Sequence, residues 1–327
     1  MAKLFAKSLI AQAIAVVVLL ASHMQAAAQS DYPNRPVRLV NPYAPGGAVD
    51  LVGRAVATGL SHVWGQQLIV DNRPGAGTMI GTEIVARADP DGYTMLCTTA
   101  AIAIMPSMYR SMRFDTVRDL YPVVHIVSTP SMLAIHPSVS VKSVKELIVL
   151  AKAQPGKITV GASGFGTSNH LTAELFQTTA QVNLVVVPYK GGGPAISDFV
   201  GGQIDMFFNT PAALLPLAKN GRARVLAILE LQRTDYAPDI PALAETFPGF
   251  EAATWYGIYG PRALPQAIAQ RWNEAVNQYL KTPQALAHFR THHMRIVGGT
   301  IATFTDYHKS ETARWGKVII AAGIKPQ

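Results

Sequence analysis

Two short glycine-bearing runs are the residues of this sequence best suited to chemistry. The first, Pro42-Tyr43-Ala44-Pro45-Gly46-Gly47-Ala48-Val49-Asp50, follows the β-branched stretch 37–40. It leads into residues 51–60, where Val52, Ala55, Val56 and Leu60 recur at helical spacing. About 120 residues later the plan returns. A strand at 158–160 runs into Gly161-Ala162-Ser163-Gly164-Phe165-Gly166-Thr167-Ser168-Asn169, and a helix over 170–178 places Leu171, Leu175 and Phe176 on one side. A strand, a glycine loop and a helix start together make an anion site. The first-turn N–H groups point outward, the helix dipole adds partial positive charge, and glycine lets a ligand approach the backbone. Two such units describe a clamp for a small carboxylate, and tight turns without a ligand remain the plain alternative.

Catalytic signatures come close and break. Gly161-Ala162-Ser163-Gly164-Phe165 would need glycine at 165 to be a nucleophile elbow. Thr167 stands where a phosphate-binding loop needs lysine, and Asn169 where a dinucleotide fingerprint needs glycine. His288 and His292 are four apart, with His293 adjacent, but the helix offers no carboxylate or cysteine to complete a metal set. An exposed helical face is the better account of them. His170, at a helix start, could contact a ligand, cap or pack. Cys97 lies in an apolar segment and reads as a small core residue. Asp50 and Asp205 could form an acid/base pair in a closed cleft, although Asp50 at a helix start fits a cap or dipole partner better. No Ser or Cys is paired with a base in a recognisable motif, so no enzyme, metal or cofactor is expected.

The elements that must position these loops are those of an α/β chain. Residues 143–146 form a capping box, Ser143-Val144-Lys145-Glu146, opening a helix that stops near Gln154-Pro155-Gly156. Residues 184–187 and 225–229 read as buried strands. Pro265 opens a helix with Ile268, Trp272, Val276 and Tyr279 on one face. A last helix carries Phe304, Tyr307, Trp315, Val318 and Ile319 and ends at Gly323. The chain has 327 residues, 49% hydrophobic and 15% charged, which excludes global disorder and suggests two domains. The net charge of +8 favours anionic partners, but no basic stripe with interleaved aromatics supports nucleic-acid binding. A single cysteine excludes an internal disulfide. Lys3 and Lys7, an apolar stretch over 8–21 and Ala26-Ala27-Ala28 make an export signal, with cleavage expected after about Ala28. The strongly apolar run 13–21 is too short to span a bilayer.

In series, these residues resemble the periplasmic solute-binding proteins of tripartite tricarboxylate transporters, the TctC or Bug type. The matching segments are Tyr32-Pro33 and Arg35-Pro36, then Pro42 to Gly47 with Asp50 and Arg54, Gly65-Gln66, and Val70-Asp71-Asn72-Arg73-Pro74-Gly75-Ala76-Gly77. Asp89-Pro90-Asp91-Gly92-Tyr93-Thr94, Gly161 to His170, Pro188-Tyr189-Lys190-Gly191 and Gly202-Gln203-Ile204-Asp205 follow. Arg233, Pro238-Asp239-Ile240-Pro241 and Trp255-Tyr256-Gly257 complete the set. Asp71 replaces a usual Glu, Ala48 a common third glycine, and Gly192-Gly193 falls in a variable region.

The resemblance implies an α/β, two-lobed type II periplasmic-binding (Venus flytrap) fold, with two mixed sheets flanked by helices and the ligand between the lobes. Residues 29–128 plus 252–327 would form one lobe and 129–251 the other. In the first lobe it places Tyr43, Ala44, Gly46, Gly47, Asp50, Thr99 and Ala100 at the ligand. In the second it places Ser163, Gly164, Gly166, Thr167, His170, Tyr189, Lys190, Gly191, Asp205 and Asn209 there. The few polar side chains over 98–102, with Tyr43 and Phe165, lean towards a ligand with an apolar or aromatic body. The implied role is a monomeric, extracytoplasmic protein handing a small carboxylate to integral membrane transporter subunits. A sensor feeding a signalling receptor is the alternative, and a secreted hydrolase the weakest.

Overall fold

The computed structural model describes residues 32–164, 166–189 and 192–326. The export signal and the site candidates Phe165, Lys190 and Gly191 lie outside the described residues.

The first sheet begins where the β-branched stretch ends in the first glycine loop. Strand β1 (Val37–Asn41) feeds α1 (Ala48–Trp64), and β2 (Leu68–Asn72) feeds α2 (Met79–Ala86). Strand β3 (Thr94–Thr99) feeds α3 (Ala101–Met108), and the long β4 (Leu120–Pro130) follows. Strand β1 runs parallel to β2 and β3 and is buried on both faces, as a parallel strand between helices must be. Leu39 packs with Val52 and Val56 of α1, while Val40 packs with Val85 and Trp255 on the other side. Helix α1 stops at Gly65, whose φ of 65° lets its N–H bond to Ser61 O.

The second sheet starts with β5 (Met132–Ile135), then α4 (Val144–Ala153), β6 (Thr159–Ala162) and α5 (Ser168–Ala180). It continues through β7 (Val185–Pro188), α6 (Gly192–Val200), β8 (Met206–Asn209), α7 (Pro211–Lys219) and β9 (Arg224–Ile228). Its order is β7-β6-β8-β5-β9, with β6 parallel to β7 and β8, and β5 antiparallel to its neighbours. Strand β7 is therefore an edge. The expectation of a buried strand over 184–187 is corrected in part: Leu184 is buried, but Val185 is exposed and Val186 and Val187 are only half-buried, because one side of the strand has no partner. The capping box at Ser143 forms with a shift. Ser143 Oγ accepts the Glu146 N–H, but the Glu146 carboxylate takes the Lys142 N–H, one residue earlier than expected.

The chain then returns. Strand β10 (Ala253–Pro261) lies antiparallel between β3 and β4, followed by α8 (Gln266–Leu280), α9 (Pro283–Thr291), β11 (Arg295–Ile296) and α10 (Ile301–Ala321). This completes the sheet order β11-β4-β10-β3-β1-β2, so both sheets are mixed. Where the chain crosses between sheets, three backbone bonds tie the crossings together. Ser131 N–H donates to Ala252 O, Ala252 N–H to Leu229 O, and Leu229 N–H to Ser131 O. Helix α10 adds a second tie. Its Trp315, Val318 and Ile319 pack in one apolar cluster with Ile104 and Met108 of α3 and Leu171 of α5. Among the described residues, no helix is long and apolar enough to cross a membrane.

Candidate functional site

Both glycine loops leave the carboxyl end of a parallel strand, where open α/β sheets present their ligand crevices. The first loop is tied from within. Asp50, in the first turn of α1, accepts the Gly46 N–H at 2.9 Å and Arg54 Nε at 2.8 Å on one oxygen. Its other oxygen accepts Asn72 Nδ2 at 3.0 Å, and the same amide nitrogen lies 3.1 Å from Tyr43 O. Burial alone would raise the Asp50 carboxyl, but these donors outweigh it and hold the group below the usual carboxylate range. Gly46 sits at φ 83°, a conformation that glycine adopts freely. The Tyr43 hydroxyl shares a 2.6 Å hydrogen bond with Thr99 Oγ1, and burial pushes it up to about 12. Thr99 Oγ1 in turn accepts the Ala101 N–H that opens α3.

The second loop repeats the plan with different chemistry. Gly166, at φ 73°, donates its N–H to His170 Nδ1 at 2.9 Å, again four residues ahead in the first turn of a helix. His170 Nε2 lies 3.7 Å from the Glu174 carboxylate, and burial holds the imidazole below its ordinary pKa. Asn169 ties the rest of the loop. Its Oδ1 accepts the Ser163 N–H, its Nδ2 donates to Ser163 Oγ, and Thr167 Oγ1 lies 2.7 Å from both Gly164 O and Asn169 Oδ1. Gly47 and Thr167 occupy the N-cap positions of α1 and α5, and neither helix has a side-chain cap bond. First-turn N–H groups have no partner inside a helix, so an uncapped start carries about half a positive charge outward.

Helix α3 connects the two loops. Thr99 and Ala100, both buried, stand at its start beside Tyr43. Met108 stands at its end, and a Cβ added to Gly166 would come within 2.6 Å of Met108 Cε. The eight residues of α3 span about 12 Å, the scale of a small organic acid.

The remaining candidates divide. Ser163, Gly164, Tyr189 and Asn209 gather at the carboxyl ends of β6, β7 and β8. Tyr189 donates its N–H to Ala162 O and its hydroxyl to Asp198 at 2.8 Å, and Asn209 Oδ1 accepts the Thr210 N–H before α7. Asp205 does not join them. It precedes β8, at the opposite end of that strand, where its carboxylate accepts the Thr159 N–H and hydroxyl, each at 2.8 Å. Asp50 and Asp205 are thus held by separate partners and do not form a pair. Ser163 Oγ is hydrogen-bonded to an asparagine amide rather than to a base. His288 and His292 approach with ring centroids 5.1 Å apart, but His288 is half-buried rather than on an exposed face. Among the described residues, no three His, Cys, Asp or Glu side chains group to hold a metal. Cys97 is fully buried and free, its thiol pushed up to about 12 by burial. The residues missed in the sequence are Asn72 and Asn169. Both lay inside the motifs that drew notice, but an asparagine's partners are set by folding and leave no mark in spacing.

Two sheets joined by paired crossings, with a strand–glycine loop–helix unit in each, make a two-lobed type II periplasmic binding protein. The chain belongs to the TctC family, the tripartite tricarboxylate transporter family receptors, whose family model matches residues 52–324. Protein BugT of Bordetella pertussis is 32% identical over 90% of this chain and 91% of its own length. A solved R. palustris protein, with adipate, is 34% identical, covers 90% of this chain and 100% of its own, and superposes with a TM-score of 0.79. MatC from Rhodopseudomonas palustris, with bound malate, is 26% identical over 88% of this chain and 100% of its own, with a TM-score of 0.73.

Proposed function

We propose that the protein captures a small carboxylate between its lobes in the periplasm and hands it to the membrane subunits of a tripartite tricarboxylate-type transporter. The observation that carries this reading is the pair of uncapped helix starts, α1 and α5, each behind a glycine loop, the first loop meeting the start of α3 through Tyr43 and Thr99 and the second meeting its end at Met108. Each offers first-turn N–H groups to one carboxylate oxygen or to a bridging water. Arg54, the cation bonded to the residue that ties the first loop, is already engaged by Asp50, so the charge on the ligand would be met by backbone dipoles. Adipate and malate, the ligands of the two solved relatives, are dicarboxylates, which suits a clamp with two anion-binding ends.

In this assignment Tyr43, Ala44, Gly46, Gly47, Thr99 and Ala100 line the first half of the site. Ser163, Gly164, Gly166, Thr167, Tyr189, Lys190, Gly191 and Asn209 line the second. Asp50 and His170 hold the loops from behind. The lobes divide at 128/129 and 251/252, close to the bonded trio Ser131, Leu229 and Ala252. A ligand touching both loops binds the closed arrangement better than the open one, and that difference is what drives closure. The protein works as a monomer after its export signal is removed at about Ala28.

A thermal-shift screen of the purified protein against mono-, di- and tricarboxylates tests this. At ~100 times its dissociation constant, a true ligand stabilises by ~2.7 kcal/mol, a shift of a few degrees for a chain of this length. Gly47→Val should abolish the shift by covering the α1 start. A panel without hits, together with mass spectrometry showing a non-carboxylate solute released on denaturation, would overturn the assignment.

A further inference from the structure

The two loops are built alike, yet the side chain that holds each is not. Gly46 and Gly166 both adopt positive φ, precede the N-cap by one residue, and donate their N–H to the side chain four residues ahead. In the first loop that acceptor is a carboxylate, which stays an acceptor throughout the neutral and mildly acidic range. In the second it is imidazole Nδ1, an acceptor only while unprotonated. With Nδ1 occupied in this way, the ring proton sits on Nε2, the nitrogen that faces Glu174 at 3.7 Å.

We propose that His170 is the positioning residue of the second glycine loop, and that its protonation releases Gly166 and weakens ligand capture through this lobe alone. A protonated ring would put an N–H against the Gly166 N–H, donor to donor, and the loop must then move to separate them. The ligand consequence rests on the carboxylate reading above; the loop consequence rests on the geometry alone.

The surroundings favour the neutral ring. His170 is 4% exposed, and its burial opposes charging. Among the described residues, Glu174 on its own helix faces Nε2 and, where ionised, works against that preference, though burial raises its carboxyl. The strands β6, β7 and β8 and the helix α3 carry no ionisable residue. Helix α10 brings Glu311 and Arg314 near the shared apolar cluster. Glu311 is already bonded to Trp255, Trp315 and Arg314, and Arg314 also donates to Glu251 O.

The first test needs no ligand. In the 15N-labelled protein titrated from pH 7.5 to 4.5, the Gly166 amide should shift and lose exchange protection in step with the His170 ring, while Gly46 stays unchanged. His170→Asn places an oxygen where Nδ1 stood and does not titrate, so Gly166 should remain protected throughout. His170→Leu should leave Gly166 unprotected already at pH 7.5. A Gly166 amide indifferent to pH, or one as protected in the leucine variant as in the parent, overturns the proposal. The second test uses adipate as probe. The affinity ratio of parent to His170→Asn should fall roughly tenfold between pH 7.5 and 5, the scale of one lost hydrogen bond. The probe's own protonation cancels in that ratio, and a ratio that stays constant also overturns the proposal. If adipate binds neither protein at any pH, that result counts against the carboxylate assignment, and the amide titration alone decides the role of His170.

Discussion

The two glycine loops share one backbone design and differ in everything around it. The first loop is exposed from Ala44 to Ala48, whereas the second is half-buried against α3. The first is held by an ionised group, the Asp50 carboxylate, which takes bonds from the Arg54 guanidinium and the neutral Asn72 amide. The second is held by neutral ones: His170, Asn169, Ser163 and Thr167. The first is braced by backbone and the second by the soft end of a methionine. The first loop therefore keeps its acceptor through the neutral and mildly acidic range. The second leans on α3 and depends on the state of a single ring.

The brace behind the first loop should give the largest effect. Gly81 of α2 lies so close that an added Cβ would stand 2.8 Å from Arg73 O and 2.9 Å from Pro42 Cα. Neither atom is the free end of a side chain, so relief requires moving the loop or the helix. Gly81→Ala should destabilise by about 3 kcal/mol, the upper range for overpacking, read by urea unfolding. It should also weaken ligand binding, because Pro42 begins the loop. Stability within 1 kcal/mol of the parent would show that the brace is softer than its geometry.

Next comes the ionised clamp. Asp50→Ala leaves the Gly46 N–H, Asn72 and Arg54 without their shared acceptor. Arg54 is 55% exposed and can rehydrate, so the expected loss is about 2 kcal/mol rather than that of a fully buried pair. The pH dependence separates the two clamps. The Asp50 carboxyl is lowered in the fold, so its stabilisation is complete above the unfolded value of about 3.9 and is lost as pH falls through the folded pKa. The His170 imidazole is also lowered. Its contribution is complete above the unfolded value of about 6.5 and declines as pH falls from there towards the folded pKa. Between pH 6.5 and 5 the parent should lose stability that His170→Asn retains, while Asp50→Asn should follow the parent's slope from a lower starting point. A parent and His170→Asn that run parallel over this window would place the acid sensitivity elsewhere, with the buried His125 and His308 the first suspects, both lowered to about 4 by burial.

What the sequence disclosed follows the reach of each interaction. Strand–loop–helix units were legible because periodicity and glycine placement are local. Helix α8 shows Ile268, Trp272, Val276 and Tyr279 buried on one face, as its spacing demands. Strand β7 looked buried because Val-Val-Val carries no sign that one side lacks a partner; sheet order is not a local property. Asp205 looked like a cleft residue because it precedes the strand whose far end reaches the site, and only the strand's direction separates the two ends. The roles of Asn72 and Asn169 depend on bonds to atoms 22 to 29 residues away in one case and within six in the other. Neither is announced by composition.

The smallest effect tests the contrast between braces directly. Gly46 and Gly166 have similar positive φ, so replacing either by alanine should cost about 1 kcal/mol for the backbone alone. Around Gly46 nothing lies within 4 Å of the added Cβ, so Gly46→Ala should cost that and no more. At Gly166 the Cβ meets Met108 Cε at 2.6 Å, and a flexible thioether must turn aside from a cluster that also holds Leu171 and Trp315. Gly166→Ala should therefore cost some tenths of a kcal/mol more, and Met108→Ala should remove the excess when combined with it. The double-mutant cycle measures that coupling free of the shared backbone term. A coupling indistinguishable from zero would mean that the second loop does not lean on α3, and that the two loops differ only in the side chain that holds each glycine.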